Sequence, residues 1–333
     1  MLQNVTSPEV LLLLTVKMSR APPCVGASGY EMACTSPITA FRSATVNASG
    51  KRSLVFNANA GFRDLPVTIP CGMCIGCRIN RSRTWALRCV HESKQHTFNS
   101  FVTLTYDDDH LPPEGSIDKT SLQLFFKKLR KAGFVFRYFA AGEYGGETNR
   151  PHYHILFFGI DFHQDRKRYK TTAVGVLYNS ETLTKIWGNG NALIANFNYS
   201  TAEYVAKYII GKELGKDASE RDRYSRLDLS TGEHYQVKSE FTLMSRRPGI
   251  GSDWYDRYST DAFPSDFLVH DAKKFAVPKY YLNKLEKTDS TMHATVKKKR
   301  RIEQWKNPMD ERTLQAKKII LSQREKSKLR SKI

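Results

Sequence analysis

The chain has 333 residues, 40% of them hydrophobic and 11% aromatic, enough for one sizeable core or two small ones and too apolar for a disordered chain. A formal charge of +19 makes nucleic acid or an anionic membrane the expected partner. The longest apolar run, Val10 to Leu14, is far too short to span a bilayer and follows no Lys or Arg, so the expectation is a soluble, unexported chain with no membrane role.

Residues 1–70 are rich in Ser, Thr, Ala, Pro and Gly and read as an N-terminal extension and irregular segment. Met18 leaves residues 1–17 open between an upstream extension and part of the fold. Residues 71–255 read as the main domain, entered through a Cys-rich segment, and 256–333 as a basic C-terminal region. From Asn99, SFVTLTY predicts a strand ending near Tyr106, and the turn-rich DDDHLPPEG follows. Asp118 is placed to cap a helix carrying Leu122, Phe125, Phe126 and Leu129 on one face, with Gly133 to stop it. FVFRYFAAGE and HYHILFFGI predict an antiparallel hairpin across the loop YGGETNRP.

Glu181 to Trp187 reads as a short helix and Ala192 to Phe197 as a strand. Ser200 and Glu203 have capping-box spacing ahead of the helix TAEYVAKYII, which Gly211 would close. FTLMSRRPGIG reads as a loop carrying Arg246 and Arg247. From Lys297 to Ile333 there are 14 Lys or Arg against 4 Asp or Glu, suited to sequence-independent phosphate contact or to a solvated, partly helical tail. The element order predicts an α+β fold with an antiparallel central sheet and helices packed mainly on one face. The sequence contains neither an internal repeat nor a phosphate-binding loop, so nothing argues for ATP hydrolysis.

His152 and His154 are two apart in a strand pattern and project from one face, a geometry suited to one metal ion. Apolar residues on both faces make that strand buried and central. Folding the hairpin brings Glu143 beside HYH as a third ligand, with Glu147 the competing candidate; such a set accommodates Mg²⁺, Mn²⁺ or Zn²⁺. Tyr204 and Tyr208 lie one turn apart on one helix face, which suits a packing stripe or a pair of nucleophiles. A phenol with pKa near ~10 needs a cation or metal to favour its phenolate, and Lys207 could supply that field. Among six cysteines, Cys71, Cys74 and Cys77 could bind a structural zinc with Cys34 or Cys24 as fourth ligand, or be ordinary buried thiols.

FVTLTYDD, GEYGGETNRPHYHILFF and AEYVAKYIIGK stand in the order of the three motifs of the HUH endonuclease superfamily. With PCGMCIGCR and FTLMSRRPGIG, they make residues 30 to 255 resemble the replication initiators of gokushovirus-type microviruses. That resemblance implies rolling-circle replication in the cytoplasm of a bacterial host. It implies metal-dependent nicking of viral single-stranded DNA and of the replicative-form duplex origin, with a 5′-phosphotyrosine intermediate and rejoining without ATP. By the same resemblance, Tyr204 and Tyr208 are alternating nucleophiles, Lys207 positions or neutralises the scissile phosphate, and His152, His154 and Glu143 hold Mg²⁺ or Mn²⁺. Tyr153 replaces the usual bulky hydrophobe between the histidines. Lys212, Arg246 and Arg247 are candidate DNA contacts, and a host helicase and replication machinery would complete the system. The competing readings are another HUH enzyme, a relaxase or transposase, and a metal-stabilised DNA-binding regulator without catalysis.

Overall fold

A computed structural model describes residues 34–330 apart from 49, 147, 173–174, 212–223, 229–230 and 307–309. Expectations about residues 1–17, Cys24, Glu147 and Lys212 therefore fall outside the described residues. Residues 34–70, expected to be irregular, instead contain a small antiparallel sheet of β1 (Ile38–Ser43), β2 (Leu54–Val55) and β3 (Gly61–Ile69) in the order β2-β1-β3. It forms by backbone pairing, Ile38 opposite Ile69 and Phe41 opposite Pro66. Apolar alternation does not announce it, because Leu54, Phe62 and Leu65 stay exposed.

The main sheet follows α1 (Ile75–Ser93) and is built from β4 (Asn99–Thr105), β5 (Arg137–Tyr144) and β6 (Pro151–Phe158), with α2 (Lys119–Lys131) between the first two. A hairpin of β7 (Lys167–Thr172) and β8 (Gly175–Asn179), the helix α3 (Glu181–Trp187) and β9 (Ala192–Asn196) precede α4 (Tyr199–Gly211). After the small pair β10 (Ser225–Leu227) and β11 (His234–Gln236), the strand β12 (Phe241–Met244) returns to the main sheet. Its order is β12-β5-β6-β4-β9-β8-β7, with antiparallel neighbours throughout. FTLM, read from sequence as loop, is thus an edge strand whose Phe241 sits opposite Gly142.

The α+β class with an antiparallel central sheet is as expected, and β6 is central and buried along nearly its whole length. Because β5 and β6 are apolar on both sides, the helices divide between the two faces. Leu122, Phe125, Phe126 and Leu129 of α2 and Trp187 of α3 pack on Tyr153, Ile155 and Phe157. Ala86 and Cys89 of α1 and Ala202, Val205 and Ala206 of α4 pack on Phe139, Ala141, Leu156 and Phe158 of the other face. Asp118 caps α2 as expected, accepting from the Ser121 amide at 2.8 Å.

The α4 cap differs from the expected Ser200 and Glu203 box. Asn198 accepts from the Thr201 amide at 2.9 Å and Thr201 Oγ1 accepts from the Asn198 amide at 3.0 Å, so the helix begins one residue earlier than that box would place it. A reciprocal pair of this kind satisfies two of the backbone donors exposed at a helix start.

Gly190 lets the α3–β9 turn close on the end of β4, where Asn189 and Asn191 exchange backbone hydrogen bonds with Thr105 and Asp107. Its φ is +137°, and a Cβ there would sit 2.5 Å from both Asp107 N and Thr105 O. Gly190→Ala is expected to lower stability by about 2–4 kcal/mol, read as a drop in the urea midpoint at unchanged slope.

The C-terminal part adds α5 (Ser252–Ala262), a β13 (Phe267–His270) and β14 (Lys273–Ala276) hairpin, α6 (Lys279–Thr288), α7 (Ser290–Lys306) and α8 (Glu311–Arg330). They share a third core with Leu87 of α1, built on Trp254, Tyr255, Tyr281, Leu285 and Val296. The basic C-terminal run is therefore anchored at its start, where Arg300 forks onto Asp266 at 2.7 and 2.6 Å.

His91 stacks on Trp254 in this core with centroids 3.5 Å apart, and burial, helped by the charges of Lys94 and His270, lowers its pKa to about 3. Above the ordinary value of ~6.5 the ring is neutral in both folded and unfolded chains. Below it the unfolded chain binds a proton that the folded chain refuses, so stability falls with pH until about pH 3. The stability advantage of the wild type over His91→Phe, measured by chemical denaturation, should shrink by roughly 2 kcal/mol between pH 7 and pH 5.

Candidate active site

The pairing of β5 with β6 decides what faces what. Glu143 sits opposite His152 and Ala141 opposite His154, while β4 on the other side places Thr103 opposite His154 and Thr105 opposite His152. Cross-strand partners share a sheet face, so the two imidazoles, the Glu143 carboxylate and the Thr103 hydroxyl converge on the face covered by α1 and α4.

Glu143 Oε1 lies 2.7 Å from His152 Nε2 and 2.6 Å from His154 Nε2. The ligand atoms of the three side chains all lie within 4.8 Å of one another. Glu143 and His154 are buried, and His152 is half-buried. The far nitrogens are held as well: His152 Nδ1 donates to the Arg150 carbonyl at 3.2 Å, and His154 Nδ1 is hydrogen-bonded to Thr103 Oγ1 at 3.0 Å. Holding Nδ1 in this way directs each Nε2 lone pair at the shared point, as in histidine metal sites.

A neutral imidazole that donates through Nδ1 then meets a carboxylate oxygen with its lone pair, an arrangement that a further proton or a cation relieves. Burial pulls the His152 pKa down, but the hydrogen bond and charge of Glu143 outweigh it and leave the value raised. At the more deeply buried His154 desolvation wins over the same partner, and the pKa is lowered. Two imidazoles and a carboxylate fit a divalent cation of the Mg²⁺, Mn²⁺ or Zn²⁺ type.

Tyr204 comes to this point from α4. Its hydroxyl donates to Glu143 Oε1 at 3.1 Å and lies 3.3 Å from His154 Nε2. The helix lies close to the sheet because the residues that face it, Ala202, Val205 and Ala206, are small, and they meet Ala141 and Ala86. Phe101 stacks on His154 at 5.5 Å and meets the Tyr204 ring edge-on at 6.2 Å, so one apolar wall fixes both rings. Ser82 of α1 donates to the Glu203 carbonyl at 3.3 Å, tying α1 to α4 beside Tyr204.

Sequence reasoning assembled Glu143, His152, His154 and Tyr204, and the fold brings all four together. Tyr208 is one helical turn further along α4, and its side chain lies outside the described residues. Lys207 is half-buried on α4, and none of the described contacts links it to the cluster. Arg246 and Arg247 are exposed beyond β12, beside the Tyr138 end of β5. Five residues of strand, roughly 15 Å, separate that end from Glu143. Cys34, Cys71, Cys74 and Cys77 do converge, their sulfurs within 4.8 Å of one another.

Thr103, Phe101 and the Arg150 carbonyl were missed; period-two alternation along FVTLT would have found the first two once β4 was paired with the histidine strand. Arg150 itself bridges the Asp108 carboxylate at 2.6 Å and the Tyr106 carbonyl at 3.1 Å, which closes the rim of the site.

Residues 99–213, the span holding every member of this cluster, match the family described as Replication-associated protein ORF2. Replication-associated protein VP4 of Bdellovibrio phage phiMH2K is 29% identical over 261 residues, covering 75% of this chain and 76% of its own. Replication-associated protein ORF4 of Chlamydia phage 1 is 25% identical over 232 residues, covering 66% and 54%. No solved structure matches the chain. No helix among the described residues is long and apolar enough to cross a membrane. Replication-associated protein ORF2 of Spiroplasma virus 4 is 30% identical over 234 residues, 66% of this chain and 68% of its own, and the chain therefore belongs to the family of microvirus-type phage replication-associated proteins.

Proposed function

We propose that this protein is a rolling-circle replication initiator, an HUH-type nickase and ligase that cuts and rejoins viral single-stranded DNA at the origin through a 5′-phosphotyrosine. The observation that carries this reading is the Tyr204 hydroxyl, 3.1 Å from Glu143 and 3.3 Å from His154. A tyrosine that only packed against the sheet would have no reason to place its oxygen on a buried carboxylate.

A divalent cation held by His152, His154 and Glu143 would offset charge on the non-bridging phosphate oxygens and make the phosphorus more electrophilic. The chain's own groups do the rest. Phe101 and the hydrogen bond to Glu143 orient the Tyr204 ring, and Glu143 Oε1 is placed to receive the phenolic proton. Tyr204 Oη attacks phosphorus and the P–O3′ bond breaks. The leaving oxygen takes up a proton, giving a free 3′ hydroxyl that primes synthesis.

The 5′ phosphate remains as a tyrosyl ester, so attack by a 3′ hydroxyl reverses the step without ATP. Tyr208 serves as the second nucleophile when the regenerated origin is cut, and Lys207 offsets phosphate charge. The replicative-form duplex is opened by a host helicase in the bacterial cytoplasm, and the +19 charge supplies sequence-independent affinity for DNA.

The test is incubation of the purified protein with a labelled single-stranded origin oligonucleotide and Mn²⁺ or Mg²⁺. The expected result is a shortened product ending in a 3′ hydroxyl and a protein band carrying covalent DNA. Absence of the adduct with every divalent metal, while DNA binding persists, would leave a non-catalytic DNA-binding protein and sink the proposal.

A further inference from the structure

A second group of metal-ligating side chains stands apart from the histidine cluster. Cys34 precedes β1, Cys71 and Cys74 lie in the turn from β3 into α1, and Cys77 is in the first turn of α1. Cys34 Sγ is 3.7 Å from the sulfurs of both Cys71 and Cys74. A disulfide would bring two sulfurs to about 2.05 Å, so these are separate thiols. Four sulfurs arranged tetrahedrally around an ion at ~2.3 Å stand about 3.8 Å apart, and the observed spacing is that of such a shell.

The backbone is arranged to suit it. The Thr35 amide donates to Cys74 Sγ at 3.1 Å, the Cys71 amide to Cys34 Sγ at 3.3 Å and the Cys74 amide to Cys71 Sγ at 3.3 Å. Such donors favour sulfur in its anionic form, the form that ligates metal. The neighbourhood also lacks another fastening. The sheet of β1 to β3 leaves Ile38, Leu54, Phe62 and Leu65 exposed and buries little beyond Cys34, Thr35, Ala40 and Ser43. A segment with so small a core commonly depends on a metal or cross-link to hold its place.

We propose that Cys34, Cys71, Cys74 and Cys77 bind one structural Zn²⁺ that clamps the N-terminal sheet to the start of α1. Four thiol protons leave as four Zn–S bonds form, and no coordination position stays open for substrate. The clamp also braces the nucleophile's helix, because α1 packs on α4 and its Ser82 holds the Glu203 carbonyl. This inference does not rest on the nicking reading.

The test is the metal content of the full chain, expressed and purified without added metal and measured by inductively coupled plasma mass spectrometry. About one zinc per chain is expected, retained in His152→Ala/His154→Ala and lost in Cys71→Ser/Cys74→Ser. In the wild type the four thiols should resist alkylation until a strong chelator removes the zinc, and the melting temperature should then fall. The thiol readout needs no variant, so misfolding of the cysteine variant leaves the question decidable. Absence of zinc, stoichiometric iron in its place, or four thiols that alkylate at once in the untreated protein would overturn the assignment. Cleavage is not measured, so a chain that fails to nick can still carry the zinc.

Discussion

Tyr204→Phe is expected to slow the first cut by on the order of a hundredfold or more, and to remove most of the covalent protein–DNA adduct, without weakening DNA binding. Phenylalanine keeps the edge-on contacts that the ring makes with Phe101 and His154, so the substitution deletes one oxygen and little else. That oxygen is the group placed against Glu143 and His154. Tyr208→Phe should leave the first cut nearly intact and block closure of the single-stranded circle, since that step needs a second tyrosine while the first is esterified. The double substitution should give no adduct at all. The measurements are adduct formation on a labelled origin oligonucleotide and circle closure on a substrate carrying two origins. Equal loss of the first cut in both single variants would rule out the assignment of Tyr204 as the first nucleophile.

The features legible from sequence share a property: their geometry is set within a few residues. Alternation along HYHILFF puts His152 and His154 on one face, and the short hairpin loop fixes Glu143 opposite His152. Helix α2 announces itself through the Asp118 cap and the spacing of Leu122, Phe125, Phe126 and Leu129.

What sequence did not show depends on partners far along the chain. The buried side of α1 carries Arg88 and Glu92, which spoil an apolar stripe. Their partners are the Ile250 carbonyl, which Arg88 reaches at 3.0 and 2.9 Å, and the Gly251 amide, which lies 2.6 Å from Glu92. Thr103 acquires its role only through the register of β4 against β6. Two arginines in a tempting RRP run fall at the wrong end of β5, because β12 pairs antiparallel with it. The cysteine spacing suggested three ligands, but only the return of β1 to the start of α1 selects Cys34 as the fourth.

Glu143→Gln should lower cleavage by at least about a thousandfold while leaving affinity for the origin strand within roughly twofold. Glutamine keeps the volume of a buried side chain that is only 4% exposed, so the packing around it is retained. It removes the charge on which both imidazoles and the Tyr204 hydroxyl converge. Loss of that carboxylate takes away one metal ligand and the acceptor for the phenolic proton together, which is why the effect should exceed that of Tyr204→Phe, where a second tyrosine remains. DNA affinity rests on phosphate contacts spread over a chain of charge +19, so it should survive and keep its steep salt dependence. His154→Ala should match Glu143→Gln in cleavage, since its Nε2 is the other close neighbour of Tyr204. Titration of Mn²⁺ separates the two contributions: a ligand defect is partly rescued at high metal, whereas loss of the proton acceptor is not. If origin binding collapsed in step with cleavage in both variants, with melting temperature reduced to match, the cluster would be a structural one and the nicking mechanism would have to be sought elsewhere.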